Sequence, residues 1–130
     1  MDYQSITCIK EYKRNLDKLL SDLTIANEKA VKKTRISPSQ INSLIYFNII
    51  DFKPESIFEI GPEVKSVKLL NLKDLKKQNY HIISIDYDTL NMLMNRKLYW
   101  KAVEYLISMY RVPNQYNPLL PVFMKSFTLR

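Results

Sequence analysis

The sequence predicts an α+β domain, predominantly helical, with about five helices and a small two-stranded antiparallel sheet. Three observations carry that prediction. Residues 3–33 contain neither glycine nor proline, and their apolar side chains recur at alternating steps of three and four. Most of the remaining apolar runs also fit a helical period. Only residues 82–87 and 122–129 alternate as strands do.

The first helix carries Ile9, Tyr12, Leu16, Leu19, Leu23, Ala26 and Ala30 as one stripe, with Lys10, Lys13, Arg14, Lys18 and Lys29 mostly off it. A helix of about 28 residues is about 42 Å long. That exceeds what a compact domain of this size needs, so the stripe predicts either a helix hairpin within the chain or pairing with a second copy. Lys32, Lys33 and Arg35 close it with positive charge, which suits the negative end of the helix dipole.

Ser37-Pro38-Ser39-Gln40 then reads as a helix start, with a serine cap, proline at the first helical position and glutamine three residues after the cap. Ile41, Leu44, Ile45 and Ile49 supply the apolar face of that helix. Pro54 and Glu55 introduce a short helix over 56–60, and Gly61-Pro62 breaks the chain. Residues 64–77 follow as a helix with Lys65, Lys68, Lys73 and Lys76 gathered on one side, a strand over 64–72 being the competing reading. Ile82, Ile83 and Ile85 mark a strand. Asp86 or Asp88 caps a helix carrying Leu90, Leu93 and Met94. A longer helix after Asn95 carries Leu98, Ala102, Tyr105, Leu106 and Met109. Pro113, Pro118 and Pro121 keep the next segment extended, and 122–129 closes the sheet.

At 130 residues the chain is long enough for one core without staples, and no composition shift divides it. The expected organisation is therefore a single domain, 1–130. Residues 1–35 form the long N-terminal helix, and 36–130 form a compact helical body with a C-terminal extended tail. A single glycine excludes glycine-cradled phosphate sites, and with them P-loop and dinucleotide-binding enzymes. One cysteine, Cys8, excludes an intramolecular disulfide. No apolar run reaches the length of a membrane span, so an intracellular protein, cytoplasmic or nuclear, with no membrane partner is expected. The net charge of +7 favours polyanions, nucleic acid first. An AT-rich coding bias, with lysines merely solvated, explains the same surplus.

The stretch 54–78 resembles the helix-turn-helix cores of winged-helix proteins. There a Leu/Ile-Gly turn precedes a helix ending in Leu-x-x-Leu-Lys, here Ile60-Gly61 and Leu72-Lys73-Asp74-Leu75-Lys76. The resemblance implies DNA binding by the helix after the turn. Lys65, Lys68, Lys73, Lys76 and Lys77 would contact phosphates, supported by Lys29, Lys32, Lys33 and Arg35. Pro54-Glu55 with Glu63-Val64-Lys65 also loosely resembles the acid, then acid-x-lysine arrangement of restriction-type nucleases, which requires 63–69 to be a strand.

His81 has no Cys, Asp or second His at ligand spacing, so no metal, cofactor, catalytic centre or small-molecule substrate is predicted. The alternative to a nucleic-acid-binding or regulatory protein is a protein–protein adaptor or accessory subunit. It would bind, or form a homodimer, through Ile9, Tyr12, Leu16, Leu19 and Leu23 of the first helix and through Trp100.

Overall fold

A mixed five-stranded sheet, with three helices on one of its faces, makes up the described part of the chain. The computed structural model describes residues 3–41, 44–51, 56–71, 73, 75, 80–97, 108–112 and 118–130, with the side chains of 3–15, 56 and 108–112 outside that description. The elements run α1 (Tyr3–Thr34), β1 (Leu44–Ile49), β2 (Ser56–Ile60), β3 (Leu69–Asn71), β4 (Tyr80–Ile85), α2 (Tyr87–Met94), β5 (Ser108–Val112) and α3 (Leu119–Lys125). The strand order is β3-β2-β1-β4-β5. β1, β2 and β3 form an antiparallel meander, β4 lies parallel to β1, and β5 is antiparallel to β4.

The α+β class stands, but five helices with a two-stranded sheet is wrong. The largest correction is β1. Ser37 and Gln40 make one half of a capping box, the Ser37 amide donating to Gln40 Oε1 at 2.8 Å, while the Gln40 amide closes a turn onto the Ser37 carbonyl at 3.0 Å. The turn then ends, and Leu44–Ile49 extends as the central strand. Its run Leu-Ile-Tyr-Phe-Asn-Ile is buried on both faces. A strand covered on both sides shows no polar alternation, so its short apolar run reads equally as a helix segment.

One sheet face carries Ile45, Phe47 and Ile49 opposite Ile60, Phe58, Ile83 and Ile85. These side chains form a single core with Leu19, Leu23, Ala26 and Ala30 of α1, Leu90, Leu93 and Met94 of α2, and Leu120, Phe123 and Met124 of α3. Phe127 completes it edge-on to Phe47, with ring centroids 5.4 Å apart. The expected C-terminal strand is thus a helix in its first half, because Leu120, Phe123, Met124 and Phe127 recur with helical period. Pro121 lies in the first turn, where a missing amide costs no helical bond. Conversely, 108–112, expected at the end of a helix, pairs as β5. The expected helix over 98–107 lies outside the described residues.

On the opposite sheet face Tyr46 and Ile57 are also buried. Burial, and then the Glu59 carboxylate that accepts its hydrogen bond from the facing strand, push the Tyr46 phenol up to about 12.

β4 and α2 fall where alternation and capping predict them. Asp86 accepts from the Thr89 amide at 3.1 Å and from its hydroxyl at 2.6 Å. At the far end Arg96 takes a left-handed φ of 57°. The Arg96 amide donates to the Leu93 carbonyl and the Lys97 amide to that of Met92, the two bonds of a Schellman closure. α1 closes similarly on Arg35 at φ 53°, whose amide donates to the Val31 carbonyl. Glycine usually fills such positions, and two arginines do so here.

Arg96→Gly should therefore raise stability by up to about 1 kcal/mol, as the relieved left-handed strain exceeds the entropy that glycine adds to the unfolded chain. Urea denaturation checks it. Asp86→Ala should cost about 1 kcal/mol near neutral pH through loss of the cap. Burial alone would raise the Asp86 carboxyl, but the Thr89 bonds outweigh it and leave the group below its ordinary 3.8. A depressed carboxylate stabilises the fold above its unfolded value and loses that contribution as pH falls through the folded value. The difference between parent and variant should shrink in acid below about pH 4.

Candidate nucleic-acid interface

The basic stretch after Gly61 is the strongest site candidate, and the structure gives it a different form from the one expected. Among the described residues there is no helix-turn-helix: 56–60 is strand β2, 61–66 is a turn, and β3 begins only at Leu69. The apolar residues Val64, Val67 and Leu70 fit a helical spacing, but Val67 is buried in the core from a stretch that is neither helix nor strand. The strand that the nuclease-like arrangement requires over 63–69 is absent too. Glu63 and Lys65 sit in the turn, and Glu55 lies outside the described residues.

Two side chains of α1 set the path of the turn. Gly61 adopts φ 139°, open to glycine and strained for any other residue. The Asn27 side chain, 2% exposed, meets it with both ends of its carboxamide. Its Oδ1 accepts the Gly61 amide at 2.8 Å, while Nδ2 donates to the carbonyls of Gly61 at 3.1 Å and Val64 at 2.9 Å. The Val64 amide closes the turn onto the Gly61 carbonyl at 3.2 Å. Three residues earlier on the helix, Thr24 Oγ1 accepts the Val67 amide at 3.0 Å and donates to the Leu20 carbonyl at 2.8 Å. The segment is thus held by its backbone at Gly61, Val64 and Val67.

Its charged side chains consequently point outward. Lys65 and Lys68 are exposed on the segment, and Lys73 is exposed just beyond β3. β3 is an edge strand of the sheet, with Leu69 42% exposed and Asn71 exposed beside it. Lysines flanking an edge strand also discourage its pairing with other chains.

The basic residues at the end of α1 are placed differently. At about 100° per residue, Lys29, Lys32 and Lys33 lie roughly 120–160° around α1 from Asn27. Lys29 Nζ donates to the Leu129 carbonyl in the C-terminal segment, and Lys32 pairs with Glu28 at 3.0 Å. Lys33 and Arg35 are exposed at the helix end. Lys76 and Lys77 lie outside the described residues.

Among the residues expected to bind a protein partner, Leu19 and Leu23 are 3% and 0% exposed and belong to the chain's own core, with Leu16 packed against it. The helix thus uses its stripe intramolecularly from Leu16 to Ala30. The side chains of Ile9 and Tyr12, and the whole of Trp100, lie outside the described residues. Among the described residues no group of three His, Cys, Asp or Glu side chains is placed to hold a metal ion, and no helix is long and apolar enough to cross a membrane.

Asn27 and Thr24 were not singled out in the sequence. The signal was there: Leu20, Thr24, Asn27 and Val31 follow one another at helical spacing beside the apolar stripe, so two polar residues stand where a second packing flank must be. No protein-family model, curated protein or solved structure matches this chain, so function is argued from its own residues.

Asn27→Asp should destabilise the fold by about 3 kcal/mol or more, since a carboxylate cannot donate to the Gly61 and Val64 carbonyls and loses its own solvation. Asn27→Ala should cost less, about 2 kcal/mol, because it leaves buried groups unpaired without adding a charge. Chemical denaturation of both variants checks the order. Equal losses would overturn that order and show that the buried carboxylate adds no cost of its own.

Proposed function

We propose that this chain is a non-enzymatic nucleic-acid-binding protein that grips the phosphate backbone through Lys65, Lys68 and Lys73. One observation carries the reading: Lys65 and Lys68 are exposed on a short segment whose backbone is fastened to α1, and Lys73 is exposed just beyond the edge strand that follows. Held that way, the backbone carrying Lys65 and Lys68 needs no ordering to meet a polyanion, and the net charge of +7 draws it in from a distance. Contacts of this kind are indifferent to base sequence, so affinity rather than sequence preference is the property they confer. The Lys29, Lys32, Lys33 and Arg35 group contributes to the general field and not to this contact.

The test is a titration of a short labelled DNA duplex, and of the matching single strand, followed by fluorescence anisotropy across a range of sodium chloride. Each phosphate contact contributes about 0.9 to the slope of log affinity against log salt on duplex DNA. Replacing Lys65, Lys68 and Lys73 together by alanine should therefore flatten that slope by about 2 to 3 and weaken binding more than tenfold at low salt. Lys18→Ala, at a lysine paired with Asp22 on α1, serves as the charge control and should change the slope by less than one. A triple variant that binds like the parent leaves these lysines as edge protection only. It then favours the accessory-subunit role.

A further inference from the structure

We infer that Thr24 is a positioning residue for this basic segment, setting the display of Lys65 and Lys68 from a helix that itself makes no contact with the ligand. The inference rests on the nucleic-acid reading above and concerns how that site is prepared. Lys65 and Lys68 are separated only by Ser66 and Val67, and Val67 is fixed twice. Its side chain is 3% exposed in the core, and its amide donates to Thr24 Oγ1 at 3.0 Å. The hydroxyl is not free to turn elsewhere, because its own proton is committed to the Leu20 carbonyl at 2.8 Å. One oxygen on a rigid helix therefore sets the height and orientation of the peptide between the two lysines. Asn27 fixes the start of the same segment, but it also supports the fold around Gly61. Thr24 is the position where display can be separated from folding.

The experiment compares Thr24→Val, which keeps the side-chain shape and removes the oxygen, with Thr24→Ser, which restores the oxygen. The Val67 amide should exchange faster with solvent in Thr24→Val and return to its parental rate in Thr24→Ser. Cooperative urea unfolding should persist in both. Against the short labelled DNA duplex, Thr24→Val should bind about threefold to tenfold more weakly, with the salt slope reduced by about one, as one phosphate contact is lost on average. Thr24→Ser should recover both quantities. Thr24→Ala takes the place of Thr24→Val should that variant fail to fold. A folded Thr24→Val with faster Val67 exchange but parental affinity and slope overturns the positioning role and leaves the nucleic-acid reading standing. A parent chain that shows no salt-sensitive binding overturns both together.

Discussion

The grip of a single carboxamide on the backbone at Gly61 and Val64 is the constraint that orders the surface of this molecule. A long helix and a sheet touch naturally through apolar side chains, which are non-directional and set only an approximate distance. Asn27 adds direction. Its three hydrogen bonds specify where β2 must end, where the turn must begin, and how α1 is rotated above the meander. The cost of leaving such groups unpaired in a buried place exceeds the gain from making them, so the contact acts chiefly by penalising every other arrangement.

This constraint explains why the basic stretch became a turn and an edge strand. Read locally, Val64, Val67 and Leu70 with lysines between them suit an amphipathic helix. A helix over those residues, however, would use the Val67 amide internally and withdraw it from Thr24, while Gly61 and Val64 would lose their partner on α1. Tertiary demand overrides a weak local preference. The same conflict is visible at Ser37–Gln40. There one capping-box bond and a closing turn bond form, yet the residues that follow are needed as the central strand between β2 and β4.

How much of the molecule was legible follows from which elements have one-sided burial. The middle of α1 was readable because most of its charged residues face water, and its buried apolar positions are the predicted Leu19, Leu23, Ala26 and Ala30. β4 was readable from Ile83 and Ile85 with Ser84 between them, and α2 from the Asp86 cap. β1 and β2 were not, because residues such as Tyr46 and Ile57 are buried on the face that should have been polar. α3 was misread because Phe123, Phe127 and Leu129 satisfy an alternation as well as a helical step, and Leu120 and Met124 were not weighed against it. Of the candidate site, the charged residues were legible and their scaffold was not. Lysines are recognisable by type, whereas Asn27 and Thr24 acquire meaning only from what lies above them.

The placement of β4 beside β1 has a consequence for how the chain reaches its native state. Asp51 and Tyr87, joined at the ends of these neighbouring parallel strands, are 36 residues apart. Closing that loop must come before most of the core can assemble, and its entropic cost is met ahead of the contacts that offset it. The hairpin of β1 and β2 and the second half of α1 can collapse early and locally. The late event is then insertion of β4 alongside β1, which would place the rate-limiting barrier of folding at the seam in the middle of the sheet.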